Sequence, residues 1–179
     1  MANPIDKNLE SPQIKARKLY YATQICVRFI AIAITLAAAW LMVTNKETAV
    51  VYGIQVDARY SYAPPFKFLA IANFVALALS VLSVLLVFIL GKVALSPAHF
   101  YIFFLHDLMI VLLLMAACAA STTTAYIGKY GNSHVGWMAI CDHFGKFCNR
   151  GEAAIILTYL GFALYLILTL VSANKLLHL

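Results

Sequence analysis

"ICVRFIAIAITLAAAWLMV", residues 25–43, is an apolar run interrupted by one charge, Arg28. An α-helix rises 1.5 Å per residue, so roughly 20 apolar residues cross the hydrocarbon core of a bilayer. The run therefore reads as a membrane span. Its arginine is the anomaly, because a lone cation at the centre of a span costs on the order of 3 kcal/mol even on lenient insertion scales. Lys15, Arg17 and Lys18 already supply charge just outside the run. An intramembrane cation asks for an anion, and the rest of the chain has to provide it.

Composition carries the reading to the whole chain. Of 179 residues, 64% are hydrophobic and only 11% are charged, an apolar share well above that of soluble domains. Three more runs of spanning length lie at about 68–90, 100–120 and 153–173. The expected fold is an all-α membrane protein, a four-transmembrane-helix bundle over residues 25–173. Residues 1–24 are expected as an N-terminal tail and 174–179 as a short C-terminal one. The spans leave no room for a separate soluble domain. The net charge of +6 is scattered through tails and loops, which fits membrane flanking and not nucleic-acid binding. "AAAW" at 37–40 follows an apolar core as a signal-peptide cleavage site does. The run is long for a signal core and holds Arg28, so a retained anchor is expected.

Four spans put both tails on one side. On that side fall Lys7, Lys15, Arg17, Lys18, Lys92 and Lys175; on the other fall Lys46, Arg59, Lys67, Lys129, Lys146 and Arg150. The totals tie, so the decision rests on the basic cluster nearest the first span, which favours cytoplasmic tails.

Cys26 and Cys118 fall inside spans one and three, where small buried apolar side chains are expected. Cys141 and Cys148 flank "DHFGKF" in the loop between spans three and four. An extracellular loop would let the pair oxidise. The alternative is a metal pair with His134 or His143, but the clustered spacing of such sites is missing. No metal site and no cofactor are therefore expected. The first loop contains "VVYGIQVDARYSY", rich in β-branched and aromatic residues around Gly53. It is either a pair of short extended segments on the outer face or a simple cover for the helix ends. Pro64 and Pro65 are expected to hold back span two until Phe66 to Phe68. The short connection "GKVALSPAH" makes spans two and three antiparallel neighbours. No N-x-S/T triplet occurs, so N-glycosylation is not expected.

The spans hold few ionisable groups: Arg28 in span one, and His106 with Asp107 in span three. In an up-down bundle these two spans run in the same direction. Arg28 then lies about 5 Å, and Asp107 about 10 Å, from the same membrane face. Arginine's long side chain covers that difference. The alternative is that Arg28 snorkels to the headgroups, but the short Asp107 side chain has no such escape. The expectation is an interhelical ion pair of Arg28 with Asp107 tying span one to span three. His106 points to the interface or to another helix, and Asn73 of span two makes an interhelical hydrogen bond. There is no nucleophile–base–orienter set, so an enzyme is not expected. A small-solute transporter or channel built on Arg28 and Asp107 is the competing function. Against it, no glycine-proline break interrupts a span centre and the halves show no internal repeat.

An arginine early in span one, an aspartate in span three and the loop "GNSHVGWMAICDHFGKFC" form one pattern. The chain resembles the plant CASP-like proteins, relatives of the Casparian strip membrane domain proteins, themselves similar to the MARVEL four-helix family. The likeness runs from about residue 15 to the C-terminus. Its most specific piece is Trp137, Ile140, Cys141, Phe144, Phe147 and Cys148 as "W-x-x-I-C-x-x-F-x-x-F-C". The family's arginine and aspartate fall on Arg28 and Asp107, and its second-loop cysteines on Cys141 and Cys148. The resemblance implies a plasma-membrane scaffold with cytoplasmic tails that forms homo-oligomers and hetero-oligomers with related members. In the Casparian strip members it also implies guidance of wall modification, and so extracellular or wall-modifying protein partners. The first outer loop departs from those members beyond Glu47 and Thr48, which points to a CASP-like relative.

Overall fold

A computed structural model describes residues 12–90 and 97–177, with side chains placed for 22–86 and 101–174. Helix α1 spans Pro12–Val43 and is followed by strands β1, Lys46–Val51, and β2, Ile54–Arg59. Helices α2, Pro64–Leu90, α3, Pro97–Tyr130, and α4, Gly145–Leu177, complete the order. All four helices are long and apolar enough to cross a membrane. The connection at 91–96, expected to be tight, lies outside the described residues. So do Lys7 and the side chains of Lys15, Arg17, Lys18, Lys92 and Lys175, on which the orientation expectation rests.

Each helix buries one stripe at a spacing of three and four residues, as a helix packed on one side requires. On α1 the stripe is Arg28, Ala31, Thr35, Ala38 and Met42; on α3 it is Asp107, Ile110, Leu114, Ala117 and Ser121. The remaining faces are apolar and exposed: Phe29, Leu36 and Trp40 on α1, Ile71 and Leu82 on α2. A water-soluble bundle would turn charge outward there, whereas lipid accepts these side chains. The helices pack as a ring in which α1 meets α2 and α4, and α3 likewise meets α2 and α4. Helices α1 and α3 therefore stand at opposite corners. Helices α4 and α1 approach closely at Gly161, where an added Cβ would lie 3.1 Å from the Thr35 methyl carbon. Small residues at a lipid-embedded contact let backbones approach in this way.

The helices run beyond the apolar spans, and α2 starts ahead of its expected position. Helix α2 begins at Pro64 and not near Phe66. The two prolines occupy first-turn positions whose missing N–H groups need no partner. The turn closes on the Ala63 carbonyl, which accepts from the Phe66 and Lys67 amides at 3.0 and 3.1 Å. Helix α3 continues ten residues past 120 through the polar run "STTTAYIGKY". There Thr123 and Thr124 turn their hydroxyls back onto the Ala119 and Ala120 carbonyls, at 3.1 and 3.2 Å. The helix stops at Gly131, in the left-handed region at φ 69°, whose amide donates to the Ile127 carbonyl at 2.8 Å. Helix α4 starts at Gly145, ahead of 153, and α1 extends back to Pro12, into the expected tail.

The first loop does form extended segments. Strands β1 and β2 pair antiparallel from Lys46 opposite Arg59 to Val51 opposite Ile54. The two-residue turn between them has both residues at positive φ, Tyr52 at 51° and Gly53 at 83°. A turn of that hand matches the twist of the strands. Beside it, the backbone of Asn132 exchanges hydrogen bonds with Trp137 (2.8 and 3.0 Å), folding the start of the second loop.

Candidate functional site

The stripe positions at one level of the bundle are polar on every helix. From α1, the Arg28 guanidinium makes a two-pronged contact with the Asp107 carboxylate of α3, Nη1 to Oδ1 at 2.9 Å and Nη2 to Oδ2 at 2.5 Å. Planar fork against planar carboxylate is the strongest arrangement the two groups offer. The residues are 3% and 0% exposed, so the guanidinium does not snorkel. Because α1 and α3 are diagonal, the pair crosses the interior of the ring.

The other two helices complete the arrangement. Arg28 also donates to Ser83 Oγ of α2 at 2.9 Å, and the Phe103 ring lies 5.8 Å from its guanidinium carbon. Ser83 passes its own hydrogen to the Ser80 carbonyl at 2.9 Å. Ser80 Oγ donates to the Ala76 carbonyl at 2.7 Å and meets Tyr165 OH of α4 at 2.5 Å. A hydroxyl has one hydrogen, so the tyrosine is the donor in the second bond. His106 bridges sideways, Nδ1 to Asp107 Oδ1 at 3.2 Å and Nε2 to the Leu79 carbonyl of α2 at 3.1 Å. It thus leans on its sequence neighbour as well as on another helix. One polar layer joins all four helices.

Asn73 lies higher on α2, buried, and donates from Nδ2 to Thr158 Oγ1 of α4 at 3.0 Å and to the Leu69 carbonyl at 2.9 Å. The cysteines divide by position. Cys118 is buried, but Cys26 is exposed, because its place on α1 falls two residues before the buried Arg28 and outside the stripe. Cys141 and Cys148 are joined as a disulfide, Cα atoms 5.7 Å apart. Their sulfurs are engaged with each other, so the metal alternative with His134 or His143 is not what forms. Among the described residues no three His, Cys, Asp or Glu side chains cluster to hold a metal.

At this loop end, Phe144 and Phe147 are 7% and 5% exposed and plug the bundle, with the Phe147 ring tilted against that of Phe66 at 6.0 Å between ring centres. Trp137 instead stands 57% exposed. Two residues to which the sequence assigned no structural role fasten the hairpin to α4. Glu47 of β1 accepts the Phe147 amide at 2.7 Å, a carboxylate at a helix N-terminus where the dipole favours negative charge. Buried Asn45 donates to the Phe147 carbonyl at 2.9 Å. On the exposed side of the hairpin, hydrogen bonds from Arg59 (2.6 Å) and Tyr62 (3.1 Å) hold the Asp57 carboxyl below its ordinary pKa.

The Casparian strip membrane protein domain matches residues 17–164. The chain belongs to that family. Among its relatives, a CASP-like protein 1F1 of Vitis vinifera is 45% identical over 98% of this chain and 85% of its own length. A CASP-like protein 1F1 of Ricinus communis is 46% identical over 98% and 97%, and a CASP-like protein 1F2 of Populus trichocarpa 43% over the same shares. No solved structure matches the chain. The matched segment includes both loops at the hairpin end and the polar layer from Arg28 to Asp107, with Tyr165 of α4 one residue beyond it.

Proposed function

We propose that this CASP-like chain is a non-enzymatic plasma-membrane scaffold with both tails in the cytoplasm. It self-associates, alone or with related members, and organises a membrane domain or a site of wall modification. The observation that carries the reading is the closed state of the polar layer. Arg28 and Asp107 are satisfied by each other and by Ser83 and His106 inside the ring. A pair held in this way locks helices together and leaves no free charge for a solute to meet. That weighs against the transporter or channel reading.

With the helices held from within, the outward apolar faces are free for lipid and for neighbouring copies. The oxidised loop supports placing the hairpin end outside the cell, since disulfides persist in such compartments. Extracellular or wall-modifying partners would then meet Trp137 and the hairpin.

Fluorescence recovery after photobleaching of a tagged protein in the plasma membrane tests the scaffold. A large immobile fraction that grows with expression is expected. Free diffusion at every expression level would refute it. A solute flux in reconstituted vesicles, abolished by Asp107→Asn, would favour transport.

A further inference from the structure

A cavity of about 590 Å³ lies at the hairpin end of the bundle, between the start of α2, the end of α3 and the start of α4. That volume falls within the range of roughly 300–1,000 Å³ typical of sites for one small organic molecule. We propose that it is a binding site for a single sterol-like molecule, a neutral, rigid ring system with one hydroxyl, taken up from the leaflet on the hairpin side.

Four features select that chemistry. The walls are mainly carbon, with the rings of Tyr62, Phe66, Tyr126 and Phe144 among them, which present flat faces to a flat ligand. The charges on the rim are already matched, Asp57 with Arg59 at 2.6 Å and Glu152 with Lys129 at 3.5 Å. An ionic ligand therefore meets no unbalanced field, whereas the carboxylate oxygens still accept from a hydroxyl. About two helical turns below Lys129, the hydroxyls of Thr122 and Tyr159 bond each other at 3.1 Å, so the inner end presents a paired set of hydroxyls and no charge. Tyr126 and Ile156, 63% and 53% exposed, stand on the span-length parts of α3 and α4 and open the wall toward lipid.

The ligand would thus lie hydroxyl to the rim and hydrocarbon inward, as a sterol lies in its leaflet. A phospholipid acyl chain is the weaker fit. It loses more rotational freedom on binding, and its headgroup charges would have to displace pairs already made.

The test uses the full chain in nanodiscs containing a diazirine-bearing cholesterol, with unlabelled cholesterol as competitor and peptide mapping of the adducts. Expected is saturable, competed labelling on Tyr126, Ile155 and Ile156, reduced at least about fivefold in Ala125→Trp, which fills the cavity. Ile156→Trp, at the lipid-facing lip, gives the same reading should Ala125→Trp fail to keep the Cys141–Cys148 mobility shift that reports folding. Labelling that is unsaturable, or unchanged in the folded filling variant, overturns the proposal. So does competition by phosphatidylcholine equal to that by cholesterol.

Discussion

Arg28 and Asn73 are both polar, buried and on helices that cross the membrane, yet their energetic roles differ by the charge. Removing one member of a buried ion pair leaves the other uncompensated, typically at about 3–5 kcal/mol. Losing a neutral interhelical hydrogen bond in a membrane protein costs about 0.6 to 2 kcal/mol. Arg28→Gln is therefore expected to lower the melting temperature much further than Asn73→Ala does, in the same detergent or nanodisc. Equal losses would show that the guanidinium makes no special contribution. Gly131 is constrained by backbone: at φ 69°, an added Cβ would sit 2.6 Å from the Trp137 carbonyl oxygen. Gly131→Ala should destabilise by about 1–2 kcal/mol from the left-handed conformation alone, and more if the loop must move. A circular-dichroism melt that matches the unsubstituted protein would contradict this. The residue scale also holds a pH prediction. The lowered Asp57 pKa means its contribution to the hairpin is complete above the ordinary carboxylate value and is lost as pH falls through the lowered one. Titration of the Asp57 carboxyl by NMR should show that downward shift, and Arg59→Gln should diminish it.

The hairpin, the second loop and the first turns of α4 form one connected element. Glu47 of β1 and Asn45 just ahead of it both bond Phe147, and the disulfide closes the chain from Cys141 to Cys148. Closing so short a loop stabilises by about 2–3 kcal/mol in the chain-entropy account. Cys141→Ser is expected to abolish the mobility shift on reduction and to lower thermal stability by that order. A shift that persists would assign it to other cysteines. This element also shows where sequence reading stops. The apolar runs and the lone Arg28 and Asp107 were legible because lipid makes each charge conspicuous. The helix ends were not, since Pro64 and Pro65 weigh against a helix interior but suit its first turn. The run of threonines after 120 reads as polar loop until the Thr123 and Thr124 hydroxyls are seen bonding their own helix. Glu47 gave no sign of its role, because its partner lies 100 residues away in sequence. Ser80, Ser83 and Tyr165 were hidden for the converse reason: such residues are common in any span, and only packing aligns them with Arg28.

At the scale of the whole molecule, the bundle is a ring of four helices with a polar brace through its middle and small residues at one seam. The seam makes its own prediction. Gly161→Leu, placed against the Thr35 methyl, should push α4 from α1 and strain the Ser80–Tyr165 contact one turn along. Reduced yield of folded protein on size exclusion is expected, with little effect from Leu160→Ala on the lipid-facing side of the same helix. The brace is the central claim, and a double-substitution cycle on it is the most direct measurement. Thermal stability would be compared for Arg28→Met, Asp107→Leu and the two together. Each single change strands a buried charge, whereas the double change leaves apolar side chains that such interiors accept. The account predicts that the double variant is more stable than either single one. Losses that simply add would show that the two groups do not depend on each other, and would contradict it.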